Sequence, residues 1–134
     1  MTDKITTHQA EDDPRNQDIL IWVNGTLKHR SEATVSVYDS GFMLGDGVWE
    51  GLRLYDGHIP FLDEHLDRLY EAALYLALDI GKTRDELKAA IRDTLAANDM
   101  VTDVHIRLMV TRGRKKNKRG SLWPPTRQIC KMHS

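Results

Sequence analysis

Apolar and polar residues alternate along the chain with spacings typical first of strands and then of helices. The run Ile19–Val23 is apolar and is followed by Asn24 and Gly25. Both of these residues tolerate positive φ, so the pattern predicts a β-hairpin. In ATVSVYD, Val35 and Val37 alternate with polar neighbours, which predicts another strand.

A stretch rich in glycine, YDSGFMLGDGVWEGLRLYDG, spans residues 38–57 and ends with a period of two. That period predicts a strand whose mainly aliphatic face suits a core. The aliphatic face holds Val48, Glu50, Leu52 and Leu54, and the opposite face holds Trp49, Gly51, Arg53 and Tyr55. Asp56-Gly57 predicts a second hairpin turn directly afterwards.

Two helices are predicted next. The first is expected to start with Asp63 as its N-cap and to end at Gly81. Its buried stripe would be Leu62, Leu66, Leu69, Ala73 and Leu76, with Arg68 at the flank. The second would start at Thr83, which forms a capping box with Glu86, and close at Asn98-Asp99. Its buried stripe would be Leu87, Ile91 and Leu95.

The segment VHIRLMVTRG predicts a last strand, with His105, Arg107, Met109 and Thr111 on its non-core face. The strands cluster, the helices are adjacent, and there is no alternation of strand and helix. The pattern therefore predicts an α+β fold with a largely antiparallel sheet and two helices. We expect a mobile N-terminal tail at residues 1–17, one ordered domain at 18–113, and a basic, disordered or aberrant tail at 114–134.

Charge divides the chain into an acidic body and a basic segment. Six of the 19 lysine and arginine residues lie within residues 112–119, whereas all 20 acidic residues lie elsewhere. The segment lacks interleaved aromatic residues, so a solvated stretch is favoured over a nucleic-acid site. No apolar run is long enough for a membrane span, and the polar N-terminus lacks the features of a signal peptide. We expect a cytoplasmic protein, and its single cysteine, Cys130, is interpreted as incidental in that tail.

Three kinds of chemistry receive little support. His58 and His65 match no zinc-binding spacing, so no metal site is predicted. Ser40 does not lie in a G-x-S-x-G motif, which argues against a serine nucleophile. GFMLGDG leads into a strand rather than opening a helix, so it is not a nucleotide phosphate loop. Arg53, Arg68 and Arg107 remain as candidates for binding a carboxylate or phosphate.

The three segments YDSGFMLGDGVWEGLRLYDG, EHLDRLYEAA and HIRLMVTRG occur in an order that identifies a family. Together they resemble the N-terminal small domain of class IV (fold-type IV) pyridoxal-phosphate aminotransferases, which include branched-chain and D-amino-acid aminotransferases. The resemblance runs from Ile19 to Gly113. It implies amino-group transfer between an amino acid and a 2-oxo acid, pyridoxal 5'-phosphate as cofactor, and a homodimer.

The resemblance also implies roles for individual residues. Arg68 stands where the family's EH-x-x-RL arginine holds the cofactor phosphate. Trp49, Arg53 and Arg107 stand where members line the substrate side, and the glycines at 41, 45 and 47 fit a loop lining that pocket. Leu44 occupies a position that is often tyrosine in the family, which leaves the substrate class open.

The resemblance further implies a catalytic lysine in a larger C-terminal domain, and none of the eight lysines stands in that context. No catalytic residue is therefore assigned, and we expect a truncated or frameshifted chain without turnover. Two alternatives stay open. One is a lyase of the same family, similar to aminodeoxychorismate lyase. The other is a binding module without catalysis that uses residues 112–119.

Overall fold

The computed structural model describes residues 13–114 and 127–133. The expectations for residues 1–12, 115–126 and 134 lie outside this part of the chain. Within the predicted N-terminal tail, Pro14–Asn16 form a short 3-10 turn. Arg15 donates from Nη1 to the backbone oxygen of Thr102 at 3.0 Å and from Nη2 to that of Asp103 at 3.3 Å. The prediction of mobility is therefore wrong for residues 13–17, because this arginine ties them to the body.

Five strands form one sheet in which every pairing is antiparallel. In chain order they are β1 (Leu20–Val23), β2 (Thr26–His29), β3 (Gly47–Leu54), β4 (Val104–Thr111) and β5 (Arg127–His133). The spatial order is β2-β1-β5-β4-β3. The α+β prediction with a largely antiparallel sheet is thus confirmed.

The hairpin predicted at Asn24-Gly25 is present. Val23 pairs with Thr26, so the loop has two residues, and both Asn24 and Gly25 have positive φ. The second predicted hairpin is reduced to a tight turn at Asp56-Gly57 that is closed by a single bridge between Tyr55 and His58. No second strand follows that turn.

Strand β5 contradicts the prediction of a disordered tail from residue 114 onwards. Arg127–His133 lies in the middle of the sheet, between β1 and β4. Cys130 is fully buried and stands opposite Trp22 on one side and Leu108 on the other. It is therefore a core residue and not an incidental one. Burial raises the pKa of its thiol to about 12.

Two further strand and loop predictions are wrong. Residues 33–38 form no strand, and Val35 and Val37 are exposed, so their alternation has no sheet partner. The glycine-rich loop contains a short helix, α1 (Ser40–Leu44), which is capped by Asp39 through a hydrogen bond from the Gly41 backbone N–H. Gly45 ends this helix in the left-handed conformation that glycine adopts most easily.

The two longer helices are α2 (Leu62–Tyr75) and α3 (Arg84–Ala97). The capping box of α3 is confirmed, since Thr83 accepts from the Glu86 backbone N–H. For α2 both predicted ends are wrong: Phe61 is the N-cap instead of Asp63, and the helix ends at Tyr75 rather than Gly81. Ala77 has positive φ two residues later, which stops the helix.

The core lies between one face of the sheet and the two longer helices. The predicted inward residues of β3 and β4 are all buried: Val48, Glu50, Leu52, Leu54, Val104, Ile106, Leu108 and Val110. They pack against the stripes of the helices, led by Leu66, Leu69, Leu87 and Ile91. Thr111 is buried as well, although its alternation placed it on the open face. No helix in the described residues is long and apolar enough to cross a membrane.

Candidate functional site

A buried carboxylate joins two cationic side chains on the helical side of β3. Glu50 accepts from Arg68 Nε at 2.6 Å through Oε1 and from Arg68 Nη2 at 2.7 Å through Oε2. His65 Nδ1 lies 2.7 Å from the same Oε2. His65 and Arg68 are three residues apart on α2, so both project from one side of that helix toward the strand.

The surroundings of this cluster differ sharply between the acid and the arginine. The Glu50 side chain is 4% exposed, whereas that of Arg68 is 69% exposed. The hydrogen bonds from Arg68, opposed by burial and assisted by His65, lower the pKa of Glu50. The same bond to Glu50 raises the pKa of Arg68. The two-point bond fixes the plane of an always-charged guanidinium while much of the side chain remains open to solvent.

Glu50→Gln should reduce stability in a manner that depends on pH. Because the folded-state pKa of Glu50 is below its ordinary value of 4.5, its contribution is present above that value and is lost as pH falls through the folded-state pKa. We expect a loss of about 1–2 kcal/mol at neutral pH, since glutamine weakens the charge-assisted bonds. Urea unfolding of both proteins between about pH 7 and pH 3 measures this, and the difference should shrink toward the acid end.

Asp63→Asn is the matched control for Glu50→Gln. Asp63 also has a lowered pKa, caused mainly by its bond to Lys88, but its side chain is 76% exposed. Solvent screens such a pair, so this variant should change stability much less than Glu50→Gln does. Equal effects of the two variants would show that burial of Glu50 contributes nothing.

Aromatic and cationic side chains gather on the other face of β3 and β4. The Arg107 guanidinium lies 4.1 Å from the centre of the Trp49 ring, a cation–π contact. Arg53 stands opposite His105 in the strand register, and Gly51 stands opposite Arg107. A Cβ at Gly51 would lie 3.2 Å from His105 Nε2, so the ring of His105 lies over the gap that this glycine leaves.

The charges show that this face is electropositive. The pKa of His105 is lowered first by burial and then by the charges of Arg53 and Arg107. Both arginines are therefore close enough to His105 to disfavour a third positive charge. Trp49, at 58% exposed, gives the same surface a large open aromatic ring.

Leu44 lies at a different place, at the end of α1 just before β3. Its side chain is 76% exposed, and its neighbours Phe42 and Met43 are exposed too. An apolar rim thus stands beside the first residues of β3. Sequence spacing placed Leu44 in this stretch but could not show that it ends a helix.

The predicted site residues fall into three groups around strand β3. Trp49, Arg53 and Arg107 come together on the open face, as their alternation predicted. Arg68 lies on the helical side of the strand with Glu50, and Leu44 precedes the strand. The structure therefore groups the substrate-side residues but separates Arg68 from them by the thickness of the sheet.

Sequence reasoning missed Glu50, His65 and His105 as members of these groups. Glu50 was assigned to the aliphatic face, and an acid in such a face was the signal, because a buried carboxylate needs a partner. His65 stands three residues before Arg68, a spacing that places both on one helical face. His105 was recognised beside Arg107, but its proximity to Arg53 depends on the pairing of β3 with β4.

Comparison with known proteins gives one consistent family. Residues 47–128 match the family described as amino-transferase class IV. A branched-chain-amino-acid aminotransferase-like protein 1 of Arabidopsis thaliana is 50% identical over 102 residues, which are 76% of this chain and 18% of the relative. A D-alanine aminotransferase of Bacillus licheniformis is 39% identical over 95 residues, or 71% of this chain and 33% of the relative.

Solved structures lead to the same family. The branched-chain amino acid aminotransferase of a T.th. strain, in complex with N-(5'-phosphopyridoxyl)-L-glutamate, superimposes with a TM-score of 0.75 at 29% identity. The alignment covers 87% of this chain and 41% of that structure, so the chain spans less than half the length of each of these relatives. The family match covers more than half of the chain, and the fold agrees with it. The chain belongs to the class IV aminotransferase family.

Proposed function

We propose that this chain supplies the small-domain side of a site for pyridoxal-phosphate-dependent amino-group transfer between an amino acid and a 2-oxo acid. The observation that carries the proposal is the pairing of Arg68 with buried Glu50 on one side of β3, while Trp49 and Arg107 stack on the other. One strand thus presents a fixed phosphate-binding group and a carboxylate-binding face.

Arg68 is suited to a phosphate group. Its Nε and Nη2 are held by Glu50, and Nη1 makes no hydrogen bond to any residue in the described part of the chain. A guanidinium offers five N–H donors in a fixed plane, so an open edge remains for an anion. Because Glu50 sets the orientation beforehand, little side-chain entropy is lost when the phosphate binds.

The open face of β3 and β4 is suited to a substrate carboxylate. Arg53 and Arg107 form no ion pair within residues 13–114, and His105 adds a polar group between them. Trp49 supplies an apolar wall. Leu44 adds a further apolar group where a hydroxyl would otherwise bind the carboxylate, which favours recognition of the anion by the arginines.

The cofactor, when bound, supplies the electron sink for moving the amino group. The residues of this chain orient its phosphate and the carboxylate of the substrate. No residue of this chain is assigned the proton transfer itself. A cytoplasmic location and a homodimer are part of the same proposal.

Binding of pyridoxine 5'-phosphate, compared with pyridoxine, tests the role of Arg68. Neither molecule carries the aldehyde that reacts with surface lysines, so the difference between them reports the phosphate alone. By calorimetry, the intact chain should bind the phosphate form at least about tenfold more tightly, and Arg68→Ala should remove that preference. Arg68→Lys should keep only part of it, because an ammonium group cannot form the two-point bond.

Arg84→Ala is the matched control, since Arg84 also projects from a helix and pairs with an exposed carboxylate, Asp67. It should retain the full preference for the phosphate form. Circular dichroism of each variant verifies that the fold persists. A preference that survives in folded Arg68→Ala would overturn the assignment of Arg68.

Two alternatives give different outcomes. A lyase of the same family would release pyruvate instead of transferring the amino group to 2-oxoglutarate. A module that uses residues 112–119 would bind nucleic acid with a steep salt dependence. Against the second, the Arg112 side chain is only 16% exposed and pairs with Asp46, so this member of the basic segment is engaged within the fold.

A further inference from the structure

Arg112 connects three parts of the chain that are distant in sequence. Its Nε donates to Asp46 Oδ2 at 2.6 Å, and its backbone N–H donates to the Asp46 backbone oxygen at 3.1 Å. Its Nη2 donates to the carbonyl of Leu76 at 2.6 Å, and its Nη1 donates to that of Ala77 at 3.1 Å. One guanidinium therefore fastens the residue before β3 to the chain that leaves α2.

The residues beside Arg112 hold α1 as well. The Ser40 backbone N–H donates to the Gly113 oxygen at 2.8 Å. A Cβ at Gly41 would overlap with Thr111 Cγ2, so α1 approaches β4 as closely as a glycine permits. Residues 111–113 thus form a platform for the whole segment 40–47, and Arg112 contributes the charged contact to it.

We propose that Asp46 and Arg112 are positioning residues that fix Leu44 and its apolar neighbours at the substrate side of the site. The Asp46 backbone N–H donates to the Ser40 backbone oxygen at 3.2 Å, which closes α1 into a short ring two residues beyond Leu44. With Asp46 fastened to Arg112, α1 has one orientation relative to Trp49 at the start of β3. The inference rests on the proposed function for the identity of the ligand, and on the contacts alone for the fixing of the segment.

Amide hydrogen exchange without ligand tests the fixing. Arg112→Lys retains the charge but cannot reach both carbonyls and the carboxylate, and Asp46→Asn retains the shape but not the charge. In each variant the amides of Met43, Gly45 and Gly47 should exchange about tenfold faster, while those of β3 beyond Gly47 stay protected. The double variant should exchange no faster than the quicker single variant, because the two residues share one interaction. The control, Arg84→Lys, should leave all of these amides unchanged.

Titration with 4-methylvalerate, followed by NMR, tests the consequence for the ligand. Arg112→Lys should weaken its binding about fivefold and leave the affinity for pyridoxine 5'-phosphate unchanged, since Arg68 lies on the other side of β3. Unchanged exchange in the 40–47 segment, or faster exchange with unchanged carboxylate affinity, would overturn the inference. If the wild type binds neither molecule, the proposed function fails, and faster exchange still supports the fixing of the segment by Arg112.

Discussion

Replacing Cys130 with aspartate is expected to unfold the domain. Cys130 is fully buried between Trp22 of β1 and Leu108 of β4, and it is hydrogen-bonded to Thr94 of α3. A carboxylate at this position would have neither water nor a cationic partner within the core. We expect a loss of more than about 4 kcal/mol, which is most of the stability of a small domain. Urea unfolding followed by circular dichroism, together with the soluble fraction, measures the effect.

Cys130→Ala is the control that separates charge from packing. It leaves only a small cavity and should cost about 1–2 kcal/mol. If the aspartate variant were as stable as the alanine variant, β5 would not lie in the middle of the sheet. This comparison therefore tests the position of the strand that the sequence pattern did not predict.

Replacing Gly47 with alanine should destabilise the chain by about 2–3 kcal/mol, because the added methyl group overpacks the pairing of β3 with β4. A Cβ at this position would lie 2.7 Å from the Val110 carbonyl oxygen and 3.2 Å from the Thr111 Cα. Both are backbone atoms, so the clash is relieved only if the two strands separate. The midpoint of urea unfolding measures the change.

Gly51→Ala is the matched control on the same strand. Its Cβ would meet His105 Nε2 at 3.2 Å and Trp49 Cζ3 at 3.8 Å, and both belong to side chains that can turn aside. Alanine also loses less backbone entropy than glycine on folding, so the variant should stay within about 0.5 kcal/mol of the wild type. Equal destabilisation by the two substitutions would contradict the close approach at Gly47.

Local periodicity predicted the elements that need only local information. The Asn24-Gly25 hairpin, the two faces of β3 and the capping box at Thr83 follow from residues within one or two turns of each other. These predictions were correct because side-chain alternation and capping act over a few residues. The family resemblance likewise rests on short segments in a fixed order.

Elements that depend on distant partners were predicted poorly. Residues 33–38 alternate like a strand but find no neighbour to pair with, whereas Arg127–His133 shows no clear period and pairs on both sides. A central strand is stabilised by the strands beside it, so its own sequence carries little of the signal. The ends of α2 were misplaced for a related reason, because Phe61 and Ala77 adopt left-handed conformations that their residue types do not favour.

The glycine-rich segment shows how the two sources of information differ. The sequence by itself determined that this segment belongs to the family, that a strand follows it, and that Trp49 and Arg53 share a face. Only the tertiary structure decided why glycine stands at 47, which residues accompany Arg68, and what Arg112 does. The reason is physical: alternation along a strand is set by neighbouring residues, but steric contact and charge pairing depend on which chain segments the fold brings within a few ångströms.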